Sequence, residues 1–391
     1  MTTDLSNYYL RWYHERPVAI TTPRREELRE LHRILYRCVE FLALNWRDFV
    51  PAWMPLGDKD LEILEYQDRF PFKAGTWRPD YIIGEDGNLR ICEITSRFFG
   101  HGIFLSRFAE EAADRFMARF PGKTRESEYP ALMDYMAGLP EGKKKIFVLK
   151  SADRTSEIRL YKEFYERLGH EVAVLEANEV ESRRKDWSQG DTFVISALNQ
   201  NDILSFGMDT VKAMADAGMC SDFRNIFLIH DKRFMRLWFE DSFTGRCLTE
   251  EETGYLRSRA IPTWIGGTLE GDNLAEDIRG NRNGYILKPS RLGKSEGVKA
   301  GPLTSDEEWK ALNLNGMVIQ PFLRQRTYKT VWEGRVYDDY ICGMMLCVDD
   351  RFFGSGLFRT SSLPVTNVGD DRKACPLYSD DPDILKCCDV L

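Results

Sequence analysis

Residues 76–97 bring two carboxylates, an arginine and a threonine together at spacings that suit metal binding. The run Thr76-Trp77-Arg78-Pro79-Asp80-Tyr81-Ile82-Ile83-Gly84-Glu85-Asp86-Gly87-Asn88-Leu89-Arg90-Ile91-Cys92-Glu93-Ile94-Thr95-Ser96-Arg97 reads as two strands joined at Asp86-Gly87. With a two-residue turn there, paired positions place Asp80 opposite Glu93, Ile82 opposite Ile91 and Arg78 opposite Thr95. Opposed carboxylates in poorly solvated surroundings repel unless a cation holds them. A hard ion such as Mg²⁺, with oxygen ligands and Arg78 beside it for an anionic partner, meets that need. The same residues also allow a structural ion pair in which Arg78 neutralises Asp80 diagonally, and the hairpin alone does not choose between the two.

Further candidates lie downstream. In Gly284-Tyr-Ile-Leu-Lys-Pro-Ser-Arg-Leu-Gly-Lys-Ser-Glu-Gly-Val298, a strand carries Lys288 inward among apolar neighbours and Pro289 ends it. The loop that follows holds Gly293, Lys294, Ser295 and Gly297, whose backbone amides and charge suit an oxyanion. No helix follows at the spacing of a G-x-x-x-x-G-K-[ST] loop. In Met317–Leu323 the pair Gln320-Pro321 interrupts a strand and frees backbone groups for a flat heterocycle. Lys232 stands at an expected helix start capped by Asp231, where the helix dipole gives a cation nothing and an anionic ligand would explain it. A solvated lysine is the plain alternative. The late segment 351–367 adds Gly354, Gly356, Arg359 and Thr366-Asn367.

These residues need elements to hold them. Thr22-Pro23 opens a helix, with Leu28, Leu31, Leu35, Cys38 and Leu42 on one face. Trp46, Phe49 and Trp53 after it read as core or as a pocket wall. A second helix is expected over about 104–120 and a third over 155–168. Apolar runs at 145–150, 172–175, 192–196 and 226–229, separated by helical or loop stretches, predict a parallel sheet covered on both faces. The loops after its strands, Ser151–Arg154 and Asn199–Asn201, would then face a ligand crevice. The last third, including 335–348, reads as antiparallel β with helices.

A chain of 391 residues exceeds one hydrophobic core and predicts lobes with clefts between them. Hydrophobic residues at 43% and charged residues at 30% are globular values. A net charge of −8 and a pI of 5.4 argue against an extended nucleic-acid surface and favour a small or cationic substrate. No stretch of apolar residues is long enough for a membrane span and no leader-like start is present, so the expectation is a cytoplasmic protein. The nine cysteines form no C-x-x-C sets and read as reduced core residues. The terminal Cys388-Asp389-Val390-Leu391 matches a prenylation box in length only, since Asp389 is not aliphatic and no basic run precedes it.

Taken in order, Arg78-x-Asp80, Glu93-x-Thr95, the Ile-Leu-Lys-Pro stretch around Lys288, the Gly293–Gly297 loop and the late Arg359 resemble the circularly permuted ATP-grasp branch that includes glutathionylspermidine synthetase-like proteins. The resemblance spans about residues 70–370. It implies a multi-lobe fold mixing α/β and α+β, with a Rossmann-like parallel middle domain and an antiparallel ATP-binding lobe. The expected division is 1–140 for a helical region with the hairpin, 141–230 for the parallel α/β domain and 231–391 for the nucleotide-binding lobes. Carried over by position, Asp80, Glu93 and Thr95 are implied Mg²⁺ ligands, and Arg78 and Arg359 meet the transferring phosphate. Lys288, Gly293, Lys294, Ser295 and Gly297 hold or cover the ATP phosphates, Gln320 meets adenine, and Lys232 is a further nucleotide contact. The implied activity is ATP-dependent ligation of a small carboxylate to an amine, such as an amino acid, peptide or polyamine, through an acyl phosphate. A nucleotide-binding scaffold or an aminoacyl-tRNA-dependent peptide ligase are the rival readings. Two positions depart from the family pattern: Thr95 stands where asparagine is usual, and the loop after Lys288 is poorer in glycine.

Overall fold

A computed structural model describes residues 2–97, 102–152, 157–187, 190–293, 295–366 and 372–391; the expected sites at Lys294, Arg154 and Asn367 lie outside them. The helix Thr22–Phe49 begins at the Thr-Pro pair and buries Leu28, Leu31, Leu35, Cys38 and Leu42, as the spacing requires. Trp46 is part of the core, and Phe49 and Trp53 pack against it, so this aromatic stretch is packing rather than pocket wall.

The largest sheet is antiparallel and joins chain segments far apart in sequence. Its path runs β15 (Arg372–Ala374), β14 (Phe358–Ser361), β12 (Arg335–Val348), β2 (Thr76–Ile83) and β3 (Leu89–Thr95), with β11 (Thr327–Trp332) and β13 (Arg351–Ser355) also paired to β12. The early hairpin is therefore built into the same sheet as the late arginine strand. A second antiparallel sheet has the order β7 (Trp264–Ile265), β10 (Val318–Pro321), β8 (Tyr285–Lys288), β9 (Lys299–Ala300). A parallel sheet follows the order β5 (Glu171–Glu176), β4 (Lys145–Lys150), β6 (Thr192–Ala197). Parallel pairing of β1 (Val18–Ile20) with β16 (Pro376–Tyr378) and β17 (Asp389–Val390) brings both ends of the chain together. Cys388, just before β17, is buried.

Several expectations are corrected. Residues 226–229 are not a fourth parallel strand: Asn225–Ile229 form a π-helical turn, closed by the His230 N–H donating to the Asn225 carbonyl at 2.8 Å. The run is buried on every side, and a short apolar run of that kind carries no period that separates strand from buried helix. The helix after it starts only at Phe234, and Asp231 receives the Arg233 N–H at 3.0 Å instead of capping a helix at Lys232. Pro321 ends β10 rather than interrupting it. The second helix is shorter than expected, Ser106–Met117.

The β2–β3 hairpin differs from its expected register in two places that cancel. Its loop has three residues, not two: Gly84 N–H donates to the Asn88 carbonyl at 3.0 Å and Gly87 takes the left-handed φ of +75° that glycine permits. Ile82 therefore pairs with Arg90, not Ile91. A β-bulge at Cys92 then adds one residue, and beyond it Asp80 pairs with Glu93 and Arg78 with Thr95 as expected. The bulge puts Cys92 and Glu93 together on the more open face and leaves Ile91 and Ile94 in the core.

Candidate active site

Asp80, Glu93, Lys288, Ser295, Gln320 and Arg359 line one open cleft of about 730 Å³. Its floor comes from the large sheet, through Asp80, Ile82, Cys92, Glu93, Cys342 and Arg359. Its opposite wall comes from the second antiparallel sheet and its loops, through Ile286, Lys288, Val298 and Gln320. One end is polar. The other is a slot of Ile82, Ile261, Ile286, Val298 and Leu323, a mostly apolar pocket with few convergent polar groups of the kind that holds a flat ligand.

At the polar end Asp80 is clasped by two guanidinium groups. Arg78 donates through Nε to Asp80 Oδ1 at 2.7 Å and through Nη2 to Oδ2 at 2.9 Å, and Arg359 Nη2 donates to Oδ2 at 2.7 Å. Register explains the convergence: Met344 of β12 pairs with Asp80, and Cys342 of β12 pairs with Arg359 of β14. Glu93 faces the Lys232 ammonium at 3.2 Å. Lys288 Nζ donates to the Cys92 carbonyl at 3.0 Å, the backbone group the bulge exposes. Burial pushes the Glu93 carboxyl up, but Lys232, Lys288 and the neighbouring His230 more than offset it and hold it at about 2. His230 is driven down to about 3, first by burial and then by the charges of Lys232 and Arg97.

The remaining expected residues fall around this centre. Thr95 is half-buried and pairs with Arg78 across the ladder, outside the cleft lining. Gly297 holds φ at +68°, and a Cβ there would lie 2.7 Å from Pro289 Cγ, so the turn needs glycine. A Cβ at Gly293 would lie 3.5 Å from an Arg97 guanidinium nitrogen. Ser151 and Asn199 serve each other: Asn199 N–H donates to Ser151 Oγ at 2.8 Å, and Asn199 caps the helix Gln200–Ser205. That is the arrangement of an ordinary capped loop.

Gln320 has one amide atom committed and one open. Thr263 donates its hydroxyl to the Ile261 carbonyl at 2.9 Å, so its oxygen must accept from Gln320 Nε2, also at 2.9 Å. That leaves Gln320 Oε1 as a buried acceptor without a partner, on the wall of the cleft.

The sequence reading missed Thr263, the apolar slot and Cys342 on the floor, because each acts through strand neighbours distant in sequence. It also missed Glu157. This buried carboxylate accepts the Gly102 and Phe104 N–H groups at 3.0 Å and fixes the chain beyond β3. Burial raises its carboxyl to about 7 against those bonds and the nearby Arg78 charge.

A cleft between two antiparallel sheets, with opposed carboxylates and converging cations at one end, is the arrangement expected of an ATP-grasp protein. The profile of the AnkG N-terminal domain matches residues 31–228, and the chain belongs to that family and to the ATP-grasp superfamily of ATP-dependent ligases. It is 24% identical over 427 aligned residues to the ATP-grasp enzyme ankG of Aspergillus thermomutatus, covering 92% of this chain and 87% of that protein. Among solved structures, a putative gamma-glutamylcysteine synthetase from Methylobacillus flagellatus KT aligns over 91% of each chain, at 11% identity and a TM-score of 0.39. A likeness at that level fixes neither fold nor function.

Proposed function

We propose that this chain joins a small-molecule carboxylate to an amine at the expense of ATP, giving ADP and phosphate through an acyl phosphate. The observation that carries the reading is the polar end of the cleft, where Arg78, Arg359, Lys232 and Lys288 surround Asp80 and Glu93. Four cations against two carboxylates leave a surplus of two positive charges, which suits MgATP at about −2.

The donor set fits Mg²⁺. Asp80 and Glu93 are oxygen ligands from opposed ladder positions; Thr95, two residues further along β3 and outside the cleft lining, is at most an indirect contributor. Among the described residues no group of three or more His, Cys, Asp or Glu is built to hold a metal. A cation here completes its shell with water and phosphate oxygens, as Mg²⁺ habitually does. Bound there, the ion would offset phosphate charge.

The chain's own residues divide the remaining work. The apolar slot takes the adenine ring, with Gln320 Oε1 as acceptor for its amino group. Lys288 meets phosphate oxygens from the wall, and Lys232 does so from beside Glu93. Arg78 and Arg359 stabilise charge on the phosphoryl group as it passes to the substrate carboxylate. The loop 293–297, next to Lys288, keeps water from the acyl phosphate until an amine attacks its carbonyl carbon and phosphate leaves. Amino acids, peptides or polyamines are the substrate class. Nine free cysteines fit a reducing, cytoplasmic setting, and among the described residues no helix is long and apolar enough to cross a membrane.

Incubation with ATP, Mg²⁺ and pools of acids and amines tests this. ADP and phosphate released only when both partners are present supports ligation. AMP as the product rules out the acyl phosphate.

A further inference from the structure

The base of the loop that follows β8 is clamped by residues remote in sequence. The Ser290 carbonyl accepts the Lys232 backbone N–H at 2.9 Å. Arg291 Nη2 donates to Asp60 Oδ2 at 3.1 Å and to the Pro55 carbonyl at 3.3 Å, while its Nε reaches Asp231 Oδ2 at 3.3 Å. The Leu292 carbonyl accepts from Lys232 Nζ. Three consecutive loop residues are thus tied to the body of the protein.

The charges explain why these ties hold. Asp60 and Asp231 are 3% and 0% exposed. Asp231 is also paired with Arg233 at 2.6 Å, whereas Arg291 is the one ion-pair partner of Asp60 among the described residues. Two buried carboxylates require two cations, and stranding one is costly. Arg291 supplies the second. The loop base is therefore held down by the buried Asp60 carboxylate.

This clamp reaches the centre of the site. The Lys232 ammonium, on a side chain 2% exposed, lies between the Leu292 carbonyl and Glu93. A lysine head group has no preferred plane, so the carbonyl decides where it points. The path runs from Asp60 and Asp231 through Arg291 to Leu292, then through Lys232 to Glu93.

We propose that Arg291 is a positioning residue of the nucleotide site: by anchoring the loop base to Asp60 and Asp231 it sets the Leu292 carbonyl, which aims Lys232 at Glu93 and the phosphates. The inference rests on the cleft being a MgATP site, and it assigns work to two residues, Asp60 and Arg291, that touch no nucleotide themselves.

The test is titration of the full chain with Mg²⁺ and the non-hydrolysable analogue AMP-PNP, for the native protein, Arg291→Ala, Lys232→Met and the double variant. Arg291→Ala weakens binding about tenfold, the lower range of what supporting partners contribute at such sites. The double variant binds no more weakly than Lys232→Met alone, because Arg291 acts through Lys232. Asp60→Asn with Arg291→Met removes the buried carboxylate along with its cation, keeps the fold if Arg291→Ala does not, and shows the same weakening. A purely structural Arg291 would lower the thermal midpoint while leaving the affinity of the folded protein within twofold of native, and that result overturns the proposal. So does a double variant in which the two losses multiply. Failure of the native protein to bind the analogue overturns the reading of the cleft as well.

Discussion

Asp80 lies directly across the ladder from Glu93, yet the two carboxylates are held differently: Asp80 by the guanidinium groups of Arg78 and Arg359, Glu93 by the Lys232 ammonium. The asymmetry fits the proposed division of labour, in which two planar forks hold Asp80 and a single ammonium pairs with Glu93, the carboxylate proposed to meet the metal.

Asp80→Asn and Glu93→Gln are each expected to cut ADP release by at least about 100-fold, as loss of a charge-stabilising group typically does. Far-UV circular dichroism should remain native in both. A rate near native in either variant contradicts the metal assignment.

Thr95→Asn restores the residue usual in the related family and lengthens the reach from that ladder position. The Mg²⁺ concentration giving half-maximal turnover should fall several-fold, with KM for ATP little changed. An unchanged value would show that position 95 takes no part in holding the ion.

Thr263→Val removes the hydroxyl that orients the Gln320 amide. The amide can then turn its donor toward the cleft, and preference for ATP over GTP, read from kcat/KM, should fall roughly tenfold, the worth of one oriented hydrogen bond. Unaltered preference would remove Gln320 from base recognition.

Stability should carry a mark of Glu157. Its folded carboxyl is raised from 4.5 to about 7, so its contribution is fully present below about pH 4.5 and is lost as pH rises through 7. Denaturant midpoints should therefore decline across that window, and Glu157→Gln should flatten the decline. Asp339 acts in a separate range: burial opposes its ionisation, but His14 and Arg372 hold it at about 2, and its contribution is lost only as pH falls from 3.8 toward 2.

Sequence patterning was informative where it was local. The Thr22–Phe49 helix, the Lys145–Lys150, Glu171–Glu176 and Thr192–Ala197 strands and the Lys288 strand all follow from periodicity and from Pro and Gly placement. The opposition of Asp80 and Glu93 was also correct, but for an incomplete reason. An extra loop residue shifts the register by one, and the Cys92 bulge shifts it back. Neither device announces itself in a run that alternates acceptably without them. The π-helical turn at Asn225–Ile229 carries the sequence pattern of a strand because its burial is uniform. What no single segment reveals is the company a residue keeps across the fold. Arg359 meets Asp80 because β12 lies between their strands, Arg291 meets Asp60 across more than two hundred residues, and Thr263 orients Gln320 from another strand end.

Activation of the carboxylate substrate by phosphoryl transfer in the cleft between the two antiparallel sheets leaves an isotopic record. The acid is supplied with ¹⁸O in both carboxylate oxygens, together with ATP, Mg²⁺ and the amine, and the label is followed by mass spectrometry. One ¹⁸O is expected in the released inorganic phosphate for each amide formed, and none in the nucleotide. Label appearing in AMP, or amide formation with unlabelled phosphate, would contradict that activation.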